Sequence, residues 1–409
     1  MFKEWMKKYY HRHMDSVLLK KILRGYRRRE RKDKKIKVVF ICQMAQLWNK
    51  IEPVYQYMLD DPQFETLLLI VPDGSVDDEN GQKSIEFFGL LKGNKVLAKN
   101  NEDWVSLKEI NPDYVFYQRP YDHYLPECYR SMTVATYSRV SYIPYAYSFS
   151  VQGDEICLSG AFFDNLYLFF AETPQSRDIV VSKDIESYNK GRKKAYYLGY
   201  PALDIVSRAQ PIIAKKEKEF LIMWTPRWTS DPYLGETHFF NYKDKIVELV
   251  KNRNDFSLIF RPHPMMFDNF INTGEISKES INLYLKDFID NENLYYDTSA
   301  SYYETLWTTD VLITDTSTII VEYLLTYKPI IFCNTSAKYV KNKFMVEILK
   351  VCYCADSWEE ILKILEMLSG GNDPLKDARC IFVNKVLKNN SINSAKAIVE
   401  SVKKDYYIL

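Results

Sequence analysis

Short runs of β-branched and aromatic residues recur along this chain, each leading into a polar turn and then a stretch with helical spacing. Lys37-Val38-Val39-Phe40-Ile41-Cys42, Thr66-Leu67-Leu68-Leu69-Ile70-Val71 and Tyr114-Val115-Phe116-Tyr117 read as strands. So do Val140–Tyr145 and Asn165–Phe170. Runs this short and this apolar suit strands covered on both faces, and strands that alternate with helices pair in parallel. The pattern restarts after Tyr196-Tyr197-Leu198-Gly199-Tyr200-Pro201. New runs follow at Glu219–Trp224, Phe256–Phe260, Val311–Thr314 and Pro329–Phe332, with helices at Lys243–Lys251 and Ser301–Trp307. From Ser357 the tail is helical, broken at Gly370-Gly371-Asn372-Asp373-Pro374.

At 409 residues the chain is long for one core. The fold class expected is therefore α/β, with two Rossmann-like doubly wound domains facing a cleft. This is the arrangement called GT-B, here with a basic helical extension at the N-terminus. The boundaries read as 1–35 for the extension, 36–200 for the first Rossmann-like domain, 201–375 for the second and 376–409 for a helical tail.

The net charge of +1 conceals an asymmetry. Residues 1–35 hold 14 Lys and Arg against 4 Asp and Glu, while the remainder holds 41 against 50. Trp5, Met6, Tyr9 and Tyr10, then Leu18, Leu19, Ile22, Leu23 and Tyr26, fall at roughly helical spacing. A basic amphipathic helix of this kind reads as an anchor on an anionic membrane surface. A solvated helix packed on its own protein and a nucleic-acid arm are the alternatives, and the membrane is preferred. No run of about 18 apolar residues is present to span a bilayer, and the first apolar stretch is too interrupted for a secretory signal. The seven cysteines form no CxxC pair, which is the pattern of reduced, buried thiols. Histidines at 11, 13, 123, 238 and 263 give no metal-ligand spacing. The 32 tyrosines suit wet clefts that bind polyols or sugars, although a coding bias accounts for them equally.

Two segments carry chemistry. In the first, Thr314-Asp315-Thr316-Ser317-Thr318 sits between a buried strand and the helical run Ile319–Leu325. Hydroxyls and an acidic N-cap gather where backbone N–H groups and the positive end of a helix point outward, a place that suits a pyrophosphate. An ordinary helix cap has the same composition. In the second, Phe256–Phe260 runs into Arg261-Pro262-His263-Pro264. The prolines fix one guanidinium and one imidazole at the carboxyl end of a strand, where open α/β sheets bind ligands. A structural turn is the plainer reading, but both segments in one half of the chain favour an anion site.

Four segments resemble the CDP-glycerol glycerophosphotransferases of teichoic-acid and capsule polymer synthesis. Leu198-Gly199-Tyr200-Pro201 with Asp204 is similar to that family's GYPRxD junction, with Ala202 in place of its arginine. Trp224-Thr225-Pro226-Arg227-Trp228 resembles its W-A-P-T-x-R strand end, and Arg261-Pro262-His263-Pro264 its K/R-x-H-P donor site. Asp310 to Glu322 followed by Lys328-Pro329-Ile330-Ile331-Phe332 resembles its most specific block. The likeness covers about Val140 to Phe332 and is weak before it.

The resemblance implies that His263, catalytic, contacts the donor pyrophosphate, and that Asp315, Thr316, Ser317 and Thr318 line its site. It also implies that Arg227 and Arg261 supply positive charge and that Glu322 faces the ribose. On the same resemblance, 36–200 is the acceptor domain and 201–375 the nucleotide-donor domain. The family's W-H-G-T histidine is missing from Tyr142–Ser148, which puts the acceptor site in doubt. Asp122 and His123 are the candidate bases, with Gln118, Arg119 and Tyr145 on the acceptor side. For Asp122 a turn-capping role is an even alternative.

The activity implied is transfer of a polyol phosphate, most simply glycerol phosphate, from a CDP-activated donor to a hydroxyl of a glycan or undecaprenyl-linked acceptor, releasing CMP. The alternative is a GT-B glycosyltransferase using a UDP- or CMP-sugar. No cofactor, no metal and no nucleic acid are expected, with fixed cations and the helix end in place of Mg²⁺. The location implied is cytoplasmic, peripheral on the inner face of the cell membrane through residues 1–35.

Overall fold

The computed structural model describes residues 35–72, 78–100, 103–211, 219–299, 301–388 and 393–408. The expected basic helix, apart from Lys35, lies outside the described residues. The chain divides into two compact units. One takes the chain up to Tyr147, Glu155–Ala202 and the stretch from Ser391 onward, and the other takes Ser148–Asp154 and Leu203–Asn390.

The first unit is built on a seven-stranded sheet. Its strands are β1 (Ile36–Cys42), β2 (Phe64–Ile70), β3 (Asn94–Leu97), β4 (Tyr114–Tyr117), β5 (Arg139–Tyr142), β6 (Leu168–Phe170) and β7 (Lys194–Tyr196). They lie in the order β3-β2-β1-β4-β5-β6-β7, and every pairing is parallel. The second unit carries β8 (Phe220–Thr225), β9 (Phe256–Phe260), β10 (Leu294–Tyr296), β11 (Val311–Thr314), β12 (Ile330–Cys333) and β13 (Tyr353–Ala355). Their order is β10-β9-β8-β11-β12-β13, again parallel throughout. Each sheet therefore starts at its centre, winds outward to one side, then reverses. That is the doubly wound topology, with one switch point per sheet.

The central strands fall where the apolar runs place them. Within these two sheets, the four strands that the runs do not reveal, β3, β7, β10 and β13, are the four edges. An edge strand is covered less completely, and β3 is mostly exposed, so no continuous apolar run marks it. Asn165 belongs to a short helix, Ala161–Asn165, and only Leu168–Phe170 is strand.

Many of the tyrosines are core residues, which corrects their reading as lining for wet clefts. Tyr55, Tyr114, Tyr117, Tyr129, Tyr200 and Tyr323 are fully buried. Their hydroxyls find partners inside: Tyr117 donates to the Tyr129 carbonyl at 2.8 Å and Tyr200 to the Pro144 carbonyl at 2.9 Å. In the second unit Phe239, the first residue of the helix α2 (Phe239–Lys251), stacks in the core on Trp224 and Phe260. All seven cysteines are free, but Cys354 is exposed and only Cys42, Cys333 and Cys352 are buried, so the expectation of uniformly buried thiols is also corrected.

The helical tail divides. Through residue 388 it stays with the second unit, whereas α4 (Ser394–Ile408) packs in the first. Asp405 holds it there. Its carboxylate accepts from Tyr114 at 2.5 Å and Tyr167 at 2.8 Å, pairs with Lys194, and faces Arg139 Nε at 3.6 Å. The Arg139 guanidinium lies over the rings of Tyr114 and Tyr167. Buried charges this close are stable only as a set.

Among the described residues no helix is long and apolar enough to cross a membrane.

Candidate functional site

The switch point of the second sheet lies between β8 and β11, where Thr225 pairs in register with Thr314. The two hydroxyls bond each other at 2.9 Å, so the strand ends leave the sheet together. Pro226-Arg227 follows one and Asp315-Thr316 the other. The chain then enters α3 (Ile319–Leu324), a helix of only six residues whose N-cap position is Thr318. Thr318 makes no side-chain capping bond, and Asp315 is not the cap that its type and position suggest. A helix this short adds little dipole, so any anion held here relies mainly on the turn's own hydroxyls, N–H groups and neighbouring cations.

Asp315 points inward and is 0% exposed. Its Oδ2 accepts from the Arg227 backbone N–H at 3.0 Å, the His238 backbone N–H at 3.3 Å and His238 Nδ1 at 2.7 Å. Its place among the direct ligands of a donor is therefore corrected: the carboxylate is a buried anchor, and Thr316, Ser317 and Thr318 are the exit of the turn that it holds. Burial disfavours an imidazolium at His238, whereas Cys333 and Asp315 favour one strongly enough to raise its pKa above the ordinary histidine value. The Trp224 indole N–H, however, meets His238 Nε2 at 2.6 Å. An indole only donates, so Nε2 must keep a lone pair and the proton lies on Nδ1. We take the pair as neutral imidazole against carboxylate. Nothing local in the sequence marked His238, which lies 77 residues from Asp315.

Arg227 connects the pieces. Its Nη1 donates to the Thr316 carbonyl. Gly235, at φ +107°, packs so closely that a Cβ there would fall 2.9 Å from Arg227 Nε. Burial lowers the Arg227 pKa, with Asp315 and Tyr339 opposing, and a guanidinium still keeps its charge. Thr316 Oγ1 shares a hydrogen bond with the Tyr339 hydroxyl.

His263 leaves β9 on the neighbouring turn. The Met265 backbone N–H donates to its Nδ1 at 3.2 Å, which puts the ring proton on Nε2. Loss of hydration and then the Arg227 charge lower its pKa to about 4, against a smaller opposing pull from Asp315. The ring surface is exposed, which limits what dehydration can do, but Arg227 acts in the same direction. The imidazole is neutral at pH 7 and keeps one N–H donor, on Nε2.

Arg261 takes a different course from the one expected of it. It pairs with Asp297 at 2.9 Å, donates to the Ser299 carbonyl at 2.8 Å and lies 4.6 Å over the Tyr302 ring. Its charge is matched within the protein, so it braces the turn and is not a free cation for a ligand. Glu322 is neither solvated nor open. It is 2% exposed and accepts the Tyr302 hydroxyl at 2.5 Å, so a ribose would reach it only with Tyr302 moved aside.

In the first unit the switch point lies between β1 and β4. Gln118 closes it: its Oε1 accepts from the N–H groups of Gln43 at 2.6 Å and Met44 at 3.0 Å, and its Nε2 donates to the Met44 carbonyl. That corrects Gln118 from an acceptor contact to a loop clasp. Arg119 is buried and lies over the Tyr124 ring. The Asp122 carboxylate accepts from the Ser131 N–H at 2.7 Å and its hydroxyl at 2.5 Å, which makes it a cap for the helix α1 (Ser131–Val134) and corrects its reading as a free base. His123 is exposed, 4.0 Å from the Tyr124 ring, and the hydroxyls of Tyr121 and Tyr145 meet at 2.9 Å. Among the described residues no group of three or more His, Cys, Asp or Glu is arranged to hold a metal ion.

A family model described as CDP-Glycerol:Poly(glycerophosphate) glycerophosphotransferase matches residues 164–404, more than half of the chain. No curated protein matches the sequence. Among solved structures, the putative UDP-N-acetylglucosamine 2-epimerase from Listeria monocytogenes is similar at 13% identity and a TM-score of 0.60, over 92% of this chain and 98% of that one. UDP-GlcNAc 2-epimerase from Neisseria meningitidis bound to UDP-GlcNAc gives 14% and 0.58, over 90% and 100%. The wall teichoic acid polymerase TagF gives 14% and 0.56, over 100% and 99%. At these identities the likeness speaks for the fold, which is α/β of GT-B type.

Proposed function

We infer, since this chain belongs to the CDP-glycerol:poly(glycerophosphate) glycerophosphotransferase family and is a transferase, that it moves glycerol phosphate from CDP-glycerol onto a hydroxyl of a surface glycan or undecaprenyl-linked acceptor. The observation that carries this reading is Arg227, which bonds the Thr316 carbonyl while the ring of the next residue, Trp228, lies 6.3 Å from the His263 ring. Three motif blocks far apart in sequence thus meet at one switch point, where α/β sheets bind nucleotides.

The donor's diphosphate lies against the Thr316–Thr318 turn. The acceptor oxygen attacks the β-phosphorus in line, a new P–O bond forms, and the bond to the bridging oxygen breaks with CMP leaving. His263 Nε2–H and Arg227 stabilise charge on the phosphoryl oxygens, and positioning supplies the rest. On the acceptor side, His123 is preferred to Asp122 for taking the hydroxyl proton, because both oxygens of Asp122 are already engaged. Arg119 and Tyr145 remain acceptor-side contacts. Residues 1–35 dock the enzyme on the anionic inner face of the cell membrane, and the polymer served is a teichoic acid or capsule chain.

Incubation of the full chain with CDP-glycerol, CDP-ribitol, UDP-sugars and CMP-sugars, with a hydroxyl-bearing glycan present, tests the donor. CMP should be released from CDP-glycerol. Turnover of a sugar nucleotide in its place would move the chain to the glycosyltransferase reading. Sedimentation with phosphatidylglycerol vesicles, before and after removal of residues 1–35, tests the docking.

A further inference from the structure

The least expected group at the site is His238. It stands at the entry to α2, is 2% exposed, and bonds neither Thr316–Thr318 nor His263 directly. What it does touch is the Asp315 carboxylate, through Nδ1–H, and the Trp224 indole, through Nε2. Trp224 is part of β8 and fully buried, so the ring is held from the core side. Asp315 immediately precedes Thr316 and also takes the Arg227 backbone N–H. The Asp315 Oδ1 is buried and has no hydrogen-bond partner, so Oδ2 carries all of the carboxylate's support. Two of its three donors, one backbone and one side chain, come from His238.

We propose that His238 is a positioning residue for donor binding: through Asp315 it sets where the Thr316–Thr318 turn and the base of Arg227 stand. This rests on the reading of that turn as the diphosphate site. A buried carboxylate that loses a charge-assisted bond must move, be hydrated or take a proton. Each of these displaces the residue next to it. Fixing the outer residues through buried hydrogen bonds behind them is the usual way a site keeps sub-ångström geometry. Asparagine places an amide N–H close to where imidazole Nδ1–H lies, whereas leucine fills similar space with no donor.

The experiment compares wild type, His238→Leu, His238→Asn, Asp315→Asn and the double variant His238→Leu with Asp315→Asn, all as full chains. Amide hydrogen exchange across residues 315–318 is read without ligand, and the KM for CDP-glycerol is separated from kcat. The expectation is exchange at least about tenfold faster in that turn for His238→Leu, with KM rising more than kcat falls and substantial rescue by His238→Asn. The double variant should be no worse than the poorer single one, because both changes act through one contact. Unchanged exchange in the turn, or full additivity of the two substitutions, would overturn the proposal. Absence of CDP-glycerol turnover in the wild type would count against the functional reading alone, and the exchange data would still decide the role of His238.

Discussion

Arg261 and Asp297 form an ion pair at 2.9 Å, about 15% exposed on each side, and the guanidinium is stacked on Tyr302. The arginine of the Arg-Pro-His-Pro turn is thereby a brace, and under the proposed function the phosphate-facing duty falls to Arg227 and His263. Arg261→Ala should cost stability, about 3 kcal/mol for removing one member of a largely buried pair, and raise the donor KM only modestly. Arg227→Lys should do the reverse, with turnover down about a hundredfold. Urea unfolding and steady-state CMP release, measured on both variants, separate the two roles.

His263→Ala should lower turnover by at least about a hundredfold, the usual scale for losing a donor to a charged transition state. Near-normal CMP release from this variant would remove His263 from the reaction.

The same residue gives a pH signature. Its folded pKa, about 4, lies below the unfolded value near 6.5. Between those values the unfolded chain binds more protons than the folded one, so stability falls as pH drops from 6.5 toward 4. Because the ring is exposed, the effect is smaller than the full shift would give. The unfolding temperature of His263→Gln, taken relative to wild type, should therefore rise between pH 7 and pH 4.5, and thermal scans at the two pH values check it.

Tyr302→Phe removes the hydroxyl that bonds the buried Glu322. The expected loss is about 1–3 kcal/mol, the range for taking one partner from a buried acceptor. If Glu322 serves the ribose, the KM for CDP-glycerol changes as well, whereas kcat stays. Thermal unfolding and a donor titration are enough to tell.

Asp405→Asn leaves Arg139 facing an uncharged amide in a site where both side chains are 1% exposed. The cost should be about 3–5 kcal/mol, or a drop of about 10 °C in unfolding temperature. A loss under about 2 °C would mean that α4 is held by its apolar face alone.

Much of this molecule was legible in local pattern. The β-branched runs located the central strands, and their alternation with helical spacing implied two parallel sheets, because burial on both faces demands continuous apolar segments. The motif blocks at the ends of β8, β9 and β11 followed from the same pattern, since ligands bind at the carboxyl edge of such sheets. The edge strands escaped because partial cover demands no such run.

What local pattern could not reveal was which polar side chains at those strand ends face a ligand and which face the protein. Asp315 meets His238 across 77 residues, Gln118 meets Gln43 across 75, and Arg261 meets Asp297 across 36. Each pair has the composition of a binding site, and each is consumed by a partner that only the folded chain brings near. A hydrogen bond depends on distance and direction within a few tenths of an ångström, and residues far apart in sequence acquire that geometry only when the sheet and its loops have packed.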